Sequence, residues 1–349
     1  MKKVLDWLSI AVMSLVLIIG GVSASAAKAP EDGFRWKMQC NLPSNSSAYQ
    51  NVYKAFVDRV AEKSEGRLVI KDLPVNTIVP ATEELEALEK GLFEVAGDVS
   101  LYHMGKYPEA PIISGLPACF TETDEFYDFA HRWRDGIYHK TLSKIFEELG
   151  VHLLCFGCTG EYGIMTRFPV STLEDLKGKK MRTLGSLNPL FKALGATPVT
   201  LVQAELYTAL QRKTVDGLVY VYYGLEDYKY KEVVDYVVFP PVYMIHGGHL
   251  TVNMKAWNKL PDDLKKIVEE SCRWAWIENH DKKYKATVAE ALKEAKKVGV
   301  KMVTLSEEDV AKMRTVARDI VWKQLAGKSP RCGDLVEMFE SYLKEKGKW

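Results

Sequence analysis

Apolar residues along this chain switch repeatedly between a period of two and a period near 3.6, which predicts strands alternating with helices. From Phe34, FRWKMQCNL alternates and reads as a strand, followed by the polar loop PSNSSAYQ. NVYKAFVDRVAEKSEG then places Val52, Ala55, Phe56, Val60 and Ala61 on one helical face and stops at Gly66. RLVIKDLP is the next strand, and the stretch from Pro80 to Ala110 predicts a helix, a strand and a loop. The order β-α-β-α-β is that of a doubly wound α/β lobe.

A helical stretch, TDEFYDFAHRWRDGIYHKTLSKIFEELG, leads into the strand VHLLCFGC and the segment EYGIMTRFPV. The pattern then repeats between Glu174 and Gly217. The turn EDLKG ends at Gly178, KKMRTL is a short strand carrying Arg182, and Gly185-Ser186 break it. PLFKALG opens a helix with Pro189 in its first turn, where a missing N–H is tolerated. Thr197–Leu201 is a strand, QAELYTALQRKTV a helix and Asp216-Gly217 a tight turn. A lone guanidinium thus ends the first strand of a βαβ unit, the place where open α/β sheets bind ligands. Beyond it, LPDDLKKIVEESCRWAWIENHDKKYKATVAEALKEAKKVG predicts one helix far longer than a usual globular helix. A dimerising coiled coil is the alternative, but its heptads are poor beyond Trp276. A strand over Val300–Leu305 and helices over 306–326 and 331–346 finish the chain.

Four pieces in order, LKGKKMR, LGATPV, ELYTALQ and VDG, resemble the DctP-type solute-binding component of TRAP (tripartite ATP-independent periplasmic) transporters. The resemblance covers essentially the whole chain after its leader. It implies a two-lobed periplasmic binding protein fold of the α/β class, with the long helix spanning both lobes and a ligand cleft between them. Residues 34–158 and 248–288 are expected in lobe I, and 159–247 and 289–349 in lobe II with the C-terminal helices. In that family the arginine of the first motif pairs with the substrate carboxylate, which assigns the clamp to Arg182. Tyr220 stands three residues past Gly217, where family members commonly put a ligand-contacting side chain, and Tyr223 follows it. Asn41, Ser100, Tyr162 and Arg167 are further candidates by their place at strand ends. Some relatives carry a second arginine before the central motif; the nearest equivalents here are Tyr162 or Arg167, and Arg167 is either a second clamp or a surface cation.

The branch of the family that binds 2-oxo acids through a cation has an acidic residue just after the D-G/A turn. Val219-Tyr220 stands there instead, so no metal and no cofactor is expected. A divalent cation needs several oxygen donors, and no acid follows before Glu226. The expected ligand is a small organic carboxylate, an aromatic or apolar 2-oxo or monocarboxylic acid, handed on to membrane subunits of a TRAP-type transporter. The alternatives are a binding protein of an ATP-driven importer, a sensor, or a secreted α/β enzyme.

Composition narrows these classes. Residues 1–26 carry two lysines, an apolar run from Leu8 to Ile19 and the small triplet Ala24-Ser25-Ala26. That is the pattern of a cleaved signal peptide, predicting a mature start at Ala27 and periplasmic export. The roughly 320 residues after it exceed one ordinary core, in keeping with two lobes. The chain holds 47 Lys and Arg against 46 Asp and Glu, so charge offers nothing to nucleic acid. No G-x-S-x-G and no G-x-G-x-x-G is present, and Gly327-Lys328-Ser329 lacks the upstream glycine of a P-loop.

Six cysteines allow 15 complete pairings. Cys155 and Cys158 form a CxxC near His152, but strand alternation would point His152 and Cys158 one way and Cys155 the other. Buried thiols or a disulfide therefore fit better than a metal or redox site. His246 and His249 frame two glycines in a non-helical stretch, which suits hinge or close-packing glycines better than a metal pair. The tyrosines between 220 and 243 read mainly as packing residues.

Overall fold

A computed structural model of the chain describes residues 33–201, 203–245 and 248–348. The leader, its cleavage point, His246 and Gly247 lie outside the described residues. Eleven strands follow in order: β1 (Phe34–Cys40), β2 (Leu68–Leu73), β3 (Val95–Val99), β4 (Val151–Gly157), β5 (Gly160–Thr166) and β6 (Lys180–Arg182), then β7 (Thr197–Val199), β8 (Gly217–Val221), β9 (Tyr236–Ile245), β10 (Gly248–Asn253) and β11 (Lys301–Thr304). They form two sheets, ordered β2-β1-β3-β10-β4 and β11-β9-β5-β8-β6-β7. In the first, β2, β1 and β3 run parallel, Phe34 opposite Leu68 and Met38 opposite Val95, because amphipathic helices carry the chain back between them, while β10 runs antiparallel between β3 and β4. The second is mixed: β6 runs parallel to β7 and β8, while β5 is antiparallel to β8 and β9.

Three connections join the sheets. One is the step from β4 to β5, another the step from β9 to β10. The third is a continuous helix over 262–297, with a π-bulged stretch at Trp274–His280. Its first half buries Leu264, Val268 and Cys272 in the core of the first sheet. Its second half buries Tyr284, Val288, Ala291 and Ala295 in the core of the second. One helix thus spans both lobes, as its apolar stripe requires.

Trp276 sits at the junction. A Cβ placed on Gly157 would lie 2.5 Å from its ring, and one on Gly248 would lie 2.7 Å from it. Both glycines are there so that the indole can lie against the strands. Just before the bulge, Cys272 of the helix is disulfide-bonded to Cys155 of β4, with Cα atoms 6.1 Å apart. Cys155 is thus held by a residue 117 positions away, while Cys158 remains a buried thiol beside it. His152 stacks on Trp257, ring centroids 4.2 Å apart.

The C-terminal helices, expected with the second lobe, also reach the first. Phe339 packs 4.4 Å from Phe129 and 5.4 Å from Tyr138, and Trp322 donates from Nε1 to the Pro117 carbonyl at 3.1 Å. The Ser329 hydroxyl caps the last helix, Pro330–Glu345, by accepting from the Cys332 N–H. Among the described residues, no helix is long and apolar enough to cross a membrane.

Candidate functional site

The parallel register of β6 and β8 puts Arg182 opposite Leu218, so both strands end at the same edge of the second sheet. Arg182 is only 3% exposed. Its Nε and Nη2 donate to the Leu201 carbonyl at 3.2 and 3.1 Å, and Nη1 donates to the Val219 carbonyl at 3.3 Å. A guanidinium has five N–H groups, so one N–H remains on each terminal nitrogen. Burial lowers its pKa, and the charges it feels most are potential ones on the phenols of Tyr220, Tyr230, Tyr162 and Tyr102. Among the described residues no Asp or Glu pairs with it. A buried cation with no ion-pair partner among the described residues is costly unless an anion completes its surroundings. Two free N–H groups on adjacent nitrogens are the fork that grips a carboxylate at two points.

Aromatic rings close around this cation. Tyr220 lies under it, the guanidinium carbon 5.4 Å from the ring centroid. Tyr162, opposite Val221 on β5, has its ring 5.6 Å from that of Tyr220. Tyr228 and Tyr230 stand 5.6 and 5.5 Å from Tyr220, each near perpendicular to it. Burial pushes every one of these phenols up, Tyr228 to about 12, so they are neutral hydroxyls at physiological pH. Val219 contributes only a carbonyl here, and it is spent on Arg182. The first acid beyond it, Glu226, is paired with Lys231 and Lys229. The next, Asp227, accepts from the N–H and hydroxyl of Ser47, both at 3.1 Å. These acids are committed elsewhere, and the site is a cationic fork in an aromatic box.

The first sheet supplies the facing wall. Asn41, just past β1, accepts from the Tyr53 hydroxyl at 3.1 Å, and Tyr53 stands edge-on to Trp276. Ser100 begins the turn after β3 and is fully buried, next to the Tyr107 hydroxyl. Tyr102, two residues on, has its phenol close enough to Arg182, Tyr162 and Tyr228 to perturb all three. Tyr223 packs edge-on against Tyr284 of the long helix, centroids 6.1 Å apart, and senses both Tyr53 and Tyr162.

Arg182, Tyr220 and Tyr162 are therefore brought together, while Asn41 and Ser100 stand on the first sheet's side, against Tyr53 and Tyr107, and Tyr223 packs on the long helix. Arg167 is not. Its N–H donates to the Asp216 carbonyl and its neighbour Thr166 faces Gly217, at the far end of β5 from Tyr162. It stands five positions on from Tyr162, just past the end of β5, about 16 Å along an extended chain, so the expected second clamp fails on register. Tyr53, Tyr102, Tyr228 and Tyr230 are additions. The crowding of tyrosines after Gly217 signals the last two, though it reads equally as packing. Nothing local marks the first two as partners of Arg182.

The profile of the bacterial extracellular solute-binding protein family 7 (DctP) matches residues 38–328. The chain is similar to a monocarboxylate 2-oxoacid-binding periplasmic protein of Nostoc sp., 25% identical over 353 residues, covering 100% of this chain and 95% of that one. It is also similar to the 2,3-diketo-L-gulonate-binding periplasmic protein of Escherichia coli, 27% identical over 209 residues, 59% of this chain and 61% of that one. Among solved structures, a TRAP periplasmic solute-binding protein of Ochrobactrum anthropi, described with its C-terminus bound in the ligand-binding pocket, superposes with a TM-score of 0.79. It is 27% identical, and the match covers 91% of this chain and 97% of that one.

Proposed function

Because the chain belongs to the bacterial extracellular solute-binding protein family 7, we propose that it captures one small organic monocarboxylate at Arg182. It then hands that acid to the membrane subunits of a TRAP-type transporter. The observation that carries this reading is the buried Arg182 guanidinium, which has no carboxylate partner among the described residues and two N–H groups to spare. An anionic ligand supplies the missing counter-charge. The tyrosines around it favour an apolar or aromatic body over a polyhydroxylated one, since pockets pair apolar walls with a few placed polar groups. The name of the Nostoc relative, a binder of monocarboxylate 2-oxo acids, agrees with this class. An exported protein with a cleaved leader fits the same reading.

Closure supplies the mechanism. Residues 34–158 and 248–288 move as one lobe, and 159–247 with 289–349 as the other, about the three connections. Ligand held by Arg182 on one lobe favours the state in which the other lobe meets it. Ser47 and Asp227 bond between the two spans, as do the Ser186 hydroxyl and the Gly115 carbonyl, and closure would hold these contacts. Mass spectrometry of small molecules released when the purified protein is denatured tests the reading. A monocarboxylic acid is expected. Release of only a polyol, an amine or a dicarboxylate overturns it.

A further inference from the structure

The turn after β3 is unusual in what it shows and what it hides. Of its residues, His103 and Ser100 are buried, while Tyr102 is 42% exposed and the adjoining Met104 38%. Burial by the surrounding protein nevertheless pushes the Tyr102 phenol up. It is near enough to influence Arg182 and Tyr162 of the second sheet and Tyr228, just past β8. Buried Leu101 precedes Tyr102, and Met104 follows two residues on. A Cβ placed on Gly185, in the turn just past Arg182, would lie 2.6 Å from Leu101 and 3.5 Å from the Met104 sulfur. The turn carrying Tyr102 and the turn following Arg182 therefore meet.

What holds this turn is inside the first lobe. His103 Nε2 bonds Asp98 Oδ2, and the other oxygen of Asp98 accepts from the Val99 N–H at 2.6 Å. Asp98 and His103 are each 1% exposed. A buried carboxylate–imidazole bond of this kind costs desolvation to assemble and is weak evidence of stability in itself. Its two ends, however, are the last strand residue but one and the residue after Tyr102. Bonding them fixes the path of the turn and the direction in which residue 102 points.

We propose that Tyr102 is the specificity-determining residue contributed by the first lobe, covering the part of the ligand remote from its carboxylate, and that the Asp98–His103 pair is its positioning device. The inference rests on the reading of Arg182 as a carboxylate clamp. Tyr102 stacks on, or stands edge-on to, the body of the bound acid, so its contribution grows with the size of that body. Small acids lie wholly within reach of Arg182 and Tyr220 and do not need it.

The test uses the full-length mature protein with pyruvate, 4-methyl-2-oxopentanoate and phenylpyruvate, titrated against wild type, Tyr102→Ala, His103→Leu, His103→Gln and Arg182→Ala. Tyr102→Ala should weaken the two larger acids about 10-fold, the scale of one aromatic contact, and pyruvate less than threefold. His103→Leu should reproduce that loss of selectivity, and His103→Gln, which still donates to Asp98, should restore it. Equal weakening of all three acids by Tyr102→Ala overturns the specificity role, as does no weakening of any while Arg182→Ala abolishes binding. Equal impairment in the two His103 variants, with lowered melting temperature, overturns the positioning role alone. Failure of all three acids to bind wild type overturns the monocarboxylate reading beneath.

Discussion

Replacing Arg182 separates the fold from its function. In Arg182→Ala, a bound carboxylate would enter a dry aromatic box with no counter-charge. Truncating one partner of such a pair costs about 2–5 kcal/mol, or roughly 30- to several-thousand-fold in affinity. The ligand-free protein should respond very differently. The Leu201 and Val219 carbonyls lose their donors, which costs about 1 kcal/mol each. Against that, a desolvated cation with no ion-pair partner among the described residues is removed, and the two effects oppose. The melting temperature without ligand should therefore move by no more than about 4 °C. Arg182→Lys keeps the charge but not the fork, and should still bind at least about 10-fold more weakly. The assay is titration calorimetry with the acid released from wild-type protein, beside thermal melts without it. An Arg182→Ala protein that binds within threefold of wild type would refute the clamp. One that unfolds outright would refute the view that the cation is there for its ligand.

Three further outcomes follow from the junction and the buried histidines. Gly157→Ala or Gly248→Ala forces a methyl into the Trp276 ring, and each should destabilise by about 1–3 kcal/mol, read from urea melts. Cys155→Ser with Cys272→Ser removes a link between residues 117 apart, and should cost about 2–5 kcal/mol, matched by reducing agent on wild type and absent from the variant under reduction. Burial holds His131, His152, His249 and His280 down to about 4, whereas the unfolded chain takes up these protons near 6.5. The unfolded state therefore binds more protons between those values, so this stability is complete above pH 6.5 and drains away towards pH 4. Glu161 and Glu84, pushed up to about 7 and about 9, act in the opposite sense as pH rises, so melting temperature should peak near neutrality. A melting temperature unchanged between pH 7 and pH 5 would count against the buried neutral histidines.

Much of this protein is a local matter. A strand or helix is set by the period of its own apolar residues, so FRWKMQC, NVYKAFVDRVAEK and the helix over 262–297 follow from their own letters. The βαβ unit that ends a strand on Arg182 is equally local, since the strand, the break at Gly185 and the helix after it lie within a few residues. The period of an apolar stripe says which face is buried but not against what. Nothing near Cys155 names Cys272, and nothing near Phe339 names Phe129. Strand position was the criterion that nominated Arg167, yet register sent it to the opposite end of β5, because a strand has two ends and only pairing says which one faces the ligand. Tyr102 is the converse case: an unremarkable phenol in a short turn acquires its meaning from a guanidinium 80 positions later. Only the folding of two sheets onto one helix brings those groups together, because contacts between distant segments depend on how the whole chain packs and leave no periodic trace in either segment.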